Sequence, residues 1–230
     1  MTTEPQSAAV AAGPKIFVID DAGGSHPLAN ATIRDAGTAQ DLAGNGAADI
    51  WRIAPGTTLP DGAGICVTEG LAAAVSLSAE APDLTVIPRA EVARTAHRYG
   101  FSAGNGGSGF STYQLDPATV AAFSVAEAGR NLPLDDWLTK ASALGFDAVW
   151  LHGVTAEAAG LGFPCDMLAK AHRIAPDMAF WISGGGWQQR HFDTIAPMPG
   201  LAALVVPADV LSGLVPAETA KTPQTGRGVA

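Results

Sequence analysis

The run Met178-Ala179-Phe180-Trp181-Ile182, followed at once by Ser183-Gly184-Gly185-Gly186, decides the architecture of this sequence. An apolar stretch this short, with no helical period, reads as a strand buried on both faces, and strands of that kind belong to parallel sheets. Three glycines then end it. At the C-terminal edge of such a strand they let the chain turn sharply and let backbone N–H groups approach an anion with no Cβ in the way. The same spacing also serves a plain strand-to-helix turn.

Working outward, the alternation repeats. Cys165 to Ile174 reads as a helix with Asp166 at its positive N-terminal end and His172 and Arg173 at its C-terminal end. Ala148-Val149-Trp150-Leu151 is a second buried strand. Leu134 to Leu144 is the clearest helix: Leu134, Trp137, Leu138, Ala141 and Leu144 form one apolar stripe, Pro133 starts it and Gly145 stops it. Leu201 to Val206 and Val120 to Val125 are further apolar runs. Strands alternating with helices predict a parallel sheet with crossover helices.

Upstream, Lys15 to Asp20, Ala48 to Ile53, Ile65 to Val67 and Leu84 to Ile87 read as strands. Gly and Pro interrupt residues 55–64, and residues 104–109 are Gly-rich, so the order of elements over 25–118 stays open. Residues 1–14 and 216–230 lack any apolar period and read as tails, leaving a single α/β domain over 15–215. A chain of 230 residues suits a (β/α)8 TIM barrel, trimmed or irregular in its first half.

Composition narrows the partners. With 47% hydrophobic and 15% charged residues, the chain has ample apolar surface for a core. Thirteen Lys and Arg stand against 22 Asp and Glu, a formal charge of −9 without any basic cluster, which argues against nucleic acid and anionic membrane. Cys66 and Cys165 are far apart, with no CxxC pair, and no HExxH, Walker lysine or G-x-S-x-G occurs; neither a metal nor a cofactor is expected. No basic flank marks the N-terminus and no apolar run approaches the roughly 18 residues of a membrane span, so a cytoplasmic protein is expected. A small molecule, a second copy or another protein remains as partner.

Gly145-Phe146-Asp147-Ala148-Val149-Trp150-Leu151-His152, then Gly160-Leu161-Gly162-Phe163-Pro164-Cys165-Asp166, then Trp181 to Gly186 with His191-Phe192 beyond, resembles the C-terminal half of the HisA/HisF barrels. These are the histidine-biosynthetic phosphoribosyl isomerase and the imidazole glycerol phosphate synthase cyclase. Phe123 to Gly129 with Pro133-Leu134-Asp135 is similar to the fifth strand of related proteins, among them a branch in methanopterin-linked one-carbon metabolism. Val18-Ile19-Asp20 with Gly23-Gly24 resembles the family's first strand.

The resemblance implies a (β/α)8 fold and a phosphate-bearing substrate. It makes Ser183, Gly184, Gly185 and Gly186 the phosphate cradle. In the family, one Asp ending strand 1 and another ending strand 5 form the acid/base pair. Asp20 matches the first; the second falls on Val125 or Ala126, which transfer no proton, with Glu127 adjacent. The strand-8 glycine is also replaced: Val205-Val206 is followed by Pro207, which has no N–H to offer.

Other residues compete for roles. His152, ending its strand, is placed where a barrel carries functional side chains, although a lone His also serves structure. Asp21 neighbours Asp20 but points to the opposite face of an extended strand. Glu69 is a strand-end carboxylate or a turn residue, and Trp187 stacks on a ligand or caps the barrel. Gly104-Asn105-Gly106-Gly107-Ser108-Gly109 satisfies G-x-G-x-x-G, but Phe110-Ser111-Thr112-Tyr113 is no helix, so a loop over the mouth replaces a dinucleotide site.

Three functions follow. The first is an isomerase, cyclase or lyase of a small phosphorylated metabolite in biosynthetic or one-carbon-cofactor metabolism, with Asp20 as acid or base and His152 or Glu127 as the second proton-transfer group. The second is a catalytically silent relative that binds a ligand or a protein. The third is a doubly wound domain whose glycines are only turns.

Overall fold

In the computed structural model, residues 14–19, 26, 28–36, 49–54, 56–95 and 122–214 are described. They form strands β1 (Lys15–Ile19), β2 (Ala31–Asp35), β3 (Ile50–Arg52), β4 (Ile65–Glu69), β5 (Thr85–Thr95), β6 (Ala122–Glu127), β7 (Arg130–Pro133), β8 (Ala148–Gly153), β9 (Ala179–Ser183) and β10 (Leu201–Pro207). The helices are α1 (Gly70–Glu80), α2 (Leu134–Ala143), α3 (Val154–Ala159), α4 (Cys165–Ile174), α5 (Gln189–Ile195) and α6 (Ala208–Leu214). Asp20, Asp21, the Gly104–Gly109 loop and, but for Pro14, both expected tails lie outside the described residues.

Neighbouring strands run parallel from β4 through β3, β2, β1, β10, β9 and β8 to β5, and β5 pairs in parallel with β4, so the sheet closes. Eight parallel strands in a closed ring, with helices between and after them, make a TIM-type barrel. The doubly wound open sheet is therefore excluded.

One expectation is corrected. The described part of the run read as Val120 to Val125 is not a barrel strand: β6 pairs antiparallel with the last residues of β5, Val92 opposite Val125 and Thr95 opposite Ala122, and continues through Ala128-Gly129 into β7. The fifth barrel strand is β5 itself. At 11 residues it is long enough to serve the barrel with its first half and a hairpin with its second. Val125, Ala126 and Glu127 thus lie on a hairpin outside the ring, and the strand-5 position of the barrel passes to Arg89 and Glu91.

The barrel is filled from within. Phe17, Ile33, Ile50, Val67, Ile87, Trp150, Trp181, Ala203 and Val205 form one cluster to which every barrel strand contributes. Phe17 and Trp181 meet edge to face at 4.7 Å between ring centres, the arrangement that aromatic quadrupoles favour. The outward residues of the same strands, among them Ala90, Val149, Leu151, Ile182, Leu204 and Val206, pack under Trp137 and Leu138 of α2, Met167 and Leu168 of α4 and Phe192 and Ile195 of α5. The stripe read from the sequence on α2 makes these contacts through Leu134, Trp137, Leu138 and Ala141, whereas Leu144, just past the helix end, is exposed. Lys170 of α4 reaches Asp135 of α2 at 2.9 Å and ties the two helices at the surface.

Candidate functional site

Side chains alternate along a strand. Since Phe17, Ile33, Ile50, Val67, Ile87, Trp150, Trp181 and Val205 point into the barrel, the residues two positions further on line its C-terminal mouth. They are Ile19, Asp35, Arg52, Glu69, Arg89, His152, Ser183 and Pro207, with Glu91 one pair beyond Arg89 on the longer β5. The interior is apolar, and the mouth is polar. That change of chemistry at the C-terminal end of the strands is where (β/α)8 proteins place their sites.

Arg89 is the centre of the mouth. Its guanidinium donates to Glu69 across the β4–β5 pairing at 2.5 Å, lies 3.6 Å from Glu91, and stacks over the Trp150 ring at 5.0 Å. The residue is buried while both carboxylates are half exposed, and its Nε has no hydrogen-bond partner among the described residues. A buried guanidinium is tolerated only where its charge is met, which the two glutamates and the indole face accomplish. On the opposite arc Arg52 and Asp35 pair with each other.

His152 stands beside it in register with Glu91 on β5 and Ser183 on β9. Its Nδ1 lies 2.8 Å from Ser183 Oγ, and its Nε2 lies 3.1 Å from a carboxylate oxygen of Glu157 on α3. The indole N–H of Trp150 donates to the same Ser183 Oγ at 2.7 Å. Burial holds the imidazole below its ordinary value of 6.5, helped by the Arg89 charge, while Glu157 and Glu91 oppose that shift. His152 is therefore neutral in its ordinary state.

The glycine turn is packed rather than open. Gly184, Gly185 and Gly186 are buried. Gly184 and Gly185 have φ of 96° and 89°, and a Cβ on Gly185 would stand 2.3 Å from the carbonyl oxygen of Gly162. One on Gly186 would stand 2.0 Å from the Phe163 ring. Close approach to the loop between α3 and α4 thus requires these glycines. The turn still borders a cavity of about 60 Å³ shared with Arg89, Trp150, His152, Glu157, Trp187 and Pro207.

Glu127 is elsewhere. One carboxylate oxygen accepts the backbone N–H of Leu71 at 2.9 Å at the N-terminus of α1, and the other accepts the Trp137 indole N–H at 2.9 Å. It also borders a groove of about 730 Å³ that runs past Glu69, Glu91 and Arg89, so it faces the rim of the mouth from the hairpin side. Asp20 follows Ile19 in the chain and is outside the described residues.

The structure thus brings His152, Ser183 and Gly184–Gly186 to one cavity and adds Glu69 on its flank. Sequence reading missed Arg89, Glu91, Glu157 and the Asp35–Arg52 pair. The signal for Arg89 and Glu91 was the period-two pattern Ile87, Arg89, Glu91 running on past Pro88, a residue that ordinarily demotes a strand. Among the described residues no group of three or more His, Cys, Asp or Glu is placed to hold a metal, and no helix is long and apolar enough to cross a membrane. No protein-family model and no curated protein matches the sequence.

Proposed function

We propose that the barrel mouth is the active site of an enzyme that moves protons on a small phosphorylated metabolite, in the isomerase, cyclase or lyase manner that the resemblance to the HisA/HisF barrels implies. The observation that carries this reading is the pairing of a neutral, hydrogen-bonded His152 with a buried Arg89 whose Nε lacks a partner, side by side at the C-terminal end of the strands. A fixed cation orients an anionic group, and a neutral imidazole then donates or accepts a proton near neutral pH. The cavity beside the glycine turn takes the anionic group in this reading, and the rest of the molecule lies in the wider groove along Glu69 and Glu91.

The alternative is a catalytically silent relative, and the burial of Ser183 and Gly184–Gly186 favours it. Two measurements separate the readings. Thermal unfolding with inorganic phosphate or ribose 5-phosphate is expected to shift upward for the native protein, since a ligand at about a hundred times its Kd adds roughly 2.7 kcal/mol. Incubation with a metabolite extract is expected to consume one phosphorylated compound, and His152→Gln and Asp20→Asn are expected to abolish that loss. A thermal shift without consumption selects the binder; neither shift nor consumption sinks both readings.

A further inference from the structure

The hydrogen-bond chain through Ser183 has one direction in which every proton finds a protein partner. The indole N–H of Trp150 is a donor and nothing else, so it donates to Ser183 Oγ at 2.7 Å. The hydroxyl keeps one proton, and among the described residues the other group in contact with Oγ is His152 Nδ1 at 2.8 Å. If the ring carried its proton on Nδ1, Oγ would accept twice and its own proton would be left without a protein acceptor among the described residues, in a residue 4% exposed. With the hydroxyl donating to Nδ1, every proton has a partner. The ring proton then sits on Nε2, facing the Glu157 carboxylate at 3.1 Å.

We propose that Ser183 and Trp150 are positioning residues that lock His152 in the tautomer protonated on Nε2, so that the group His152 offers the mouth is a neutral N–H donor. This deepens the reading of His152 as the proton-handling residue of the site. It also removes the Ser183 hydroxyl from the phosphate cradle, because its proton is committed to the imidazole. The charged groups that face His152 are Arg89 and Glu91 from β5 and Glu157 from α3. Glu157 is 44% exposed on a helix of 6 residues and borders the same cavity as His152. A neutral imidazole N–H is suited to hydrogen-bonding a carbonyl or phosphoryl oxygen and to giving it a proton as a general acid.

Two-bond proton–nitrogen correlation spectra of the full chain labelled with nitrogen-15 histidine test the proposal, with His152 assigned by its loss in His152→Gln. The expected wild-type pattern is a single tautomer, Nδ1 bare and Nε2 protonated. Ser183→Ala is expected to shift the Nδ1 signal toward that of an exchanging mixture, and Ser183→Thr, which keeps the hydroxyl, to restore the wild-type pattern. A wild-type His152 protonated on Nδ1 overturns the proposal without any variant, which covers the case that Ser183→Ala fails to fold. An unchanged tautomer in folded Ser183→Ala overturns it as well. No substrate enters the measurement, so a locked tautomer in a protein that turns over no metabolite counts against the proposed enzyme and leaves the positioning role standing.

Discussion

The carboxylate of Glu127 accepts the indole N–H of Trp137 at 2.9 Å, joining the tip of the β6–β7 hairpin to a fully buried side chain of α2. The same carboxylate holds the N-terminus of α1 through Leu71. Replacing Glu127 with Ala strands a buried donor and uncaps a helix end, each costing about 1–3 kcal/mol at most. Denaturant unfolding is expected to show a loss of roughly 2 kcal/mol with an unchanged slope. If stability holds while metabolite turnover disappears, Glu127 belongs to the chemistry instead.

The pH dependence of stability follows from His152. Its folded-state value lies below 6.5, so the unfolded chain binds this proton first. The stability that the neutral ring contributes is whole above 6.5, falls as the pH drops from there toward the lower folded value, and levels off beneath it. Comparing unfolding free energies at about pH 7.5 and about pH 5.5 is expected to show a larger loss in the wild type than in His152→Gln, the other titrating groups being common to both. Equal losses would mean that the imidazole is not held neutral.

Arg89 should decide anion binding. Arg89→Met removes the guanidinium while keeping a long apolar stem over Trp150, and the freed Glu69 and Glu91 are half exposed and readily hydrated. A charge-assisted hydrogen bond of about 1.5–3 kcal/mol corresponds to a ten- to hundredfold weaker affinity. Titration calorimetry with the phosphate ester that stabilises the wild type is expected to show that loss. Undiminished affinity would place the anion away from β5.

Gly186 tests how tightly the turn is packed. Gly186→Ala drives a methyl into Phe163, itself edge to face with Phe192 at 5.0 Å, and overpacking of this kind costs about 1–3 kcal/mol. Gly64→Ala, where a Cβ meets nothing within 4 Å, is the control and is expected to change the urea midpoint little. Two equal midpoints would show that the α3–α4 loop yields freely.

Much of the frame was legible in the residues. The helix at Leu134 announced itself by its stripe, its Pro start and its Gly stop, and α4 by its charge layout; the observed bounds agree with the reading to within a residue. These signals are local, because helix periodicity and capping act within a few turns. Helix α1 escaped because Gly70-Leu71-Ala72-Ala73-Ala74 carries almost no amphipathic contrast, and β2 because Thr32 and Arg34 occupy its outward face.

Sequence alone determined that apolar runs alternate with helices, that Ser183 to Gly186 turn at the end of a strand, and that a histidine follows Leu151. Tertiary structure alone decided which run enters the ring and what the histidine touches. A short, largely apolar strand such as β6 carries no mark of its partner, and the length of β5 turned it into a hairpin rather than a barrel strand. Closing the sheet then brought Glu69, Arg89, His152 and Ser183 to one rim, from four strands that nothing local in the chain relates to one another. Hydrogen-bond direction and buried charge exist only between such partners, so the chemistry of the mouth appears only once the barrel is closed.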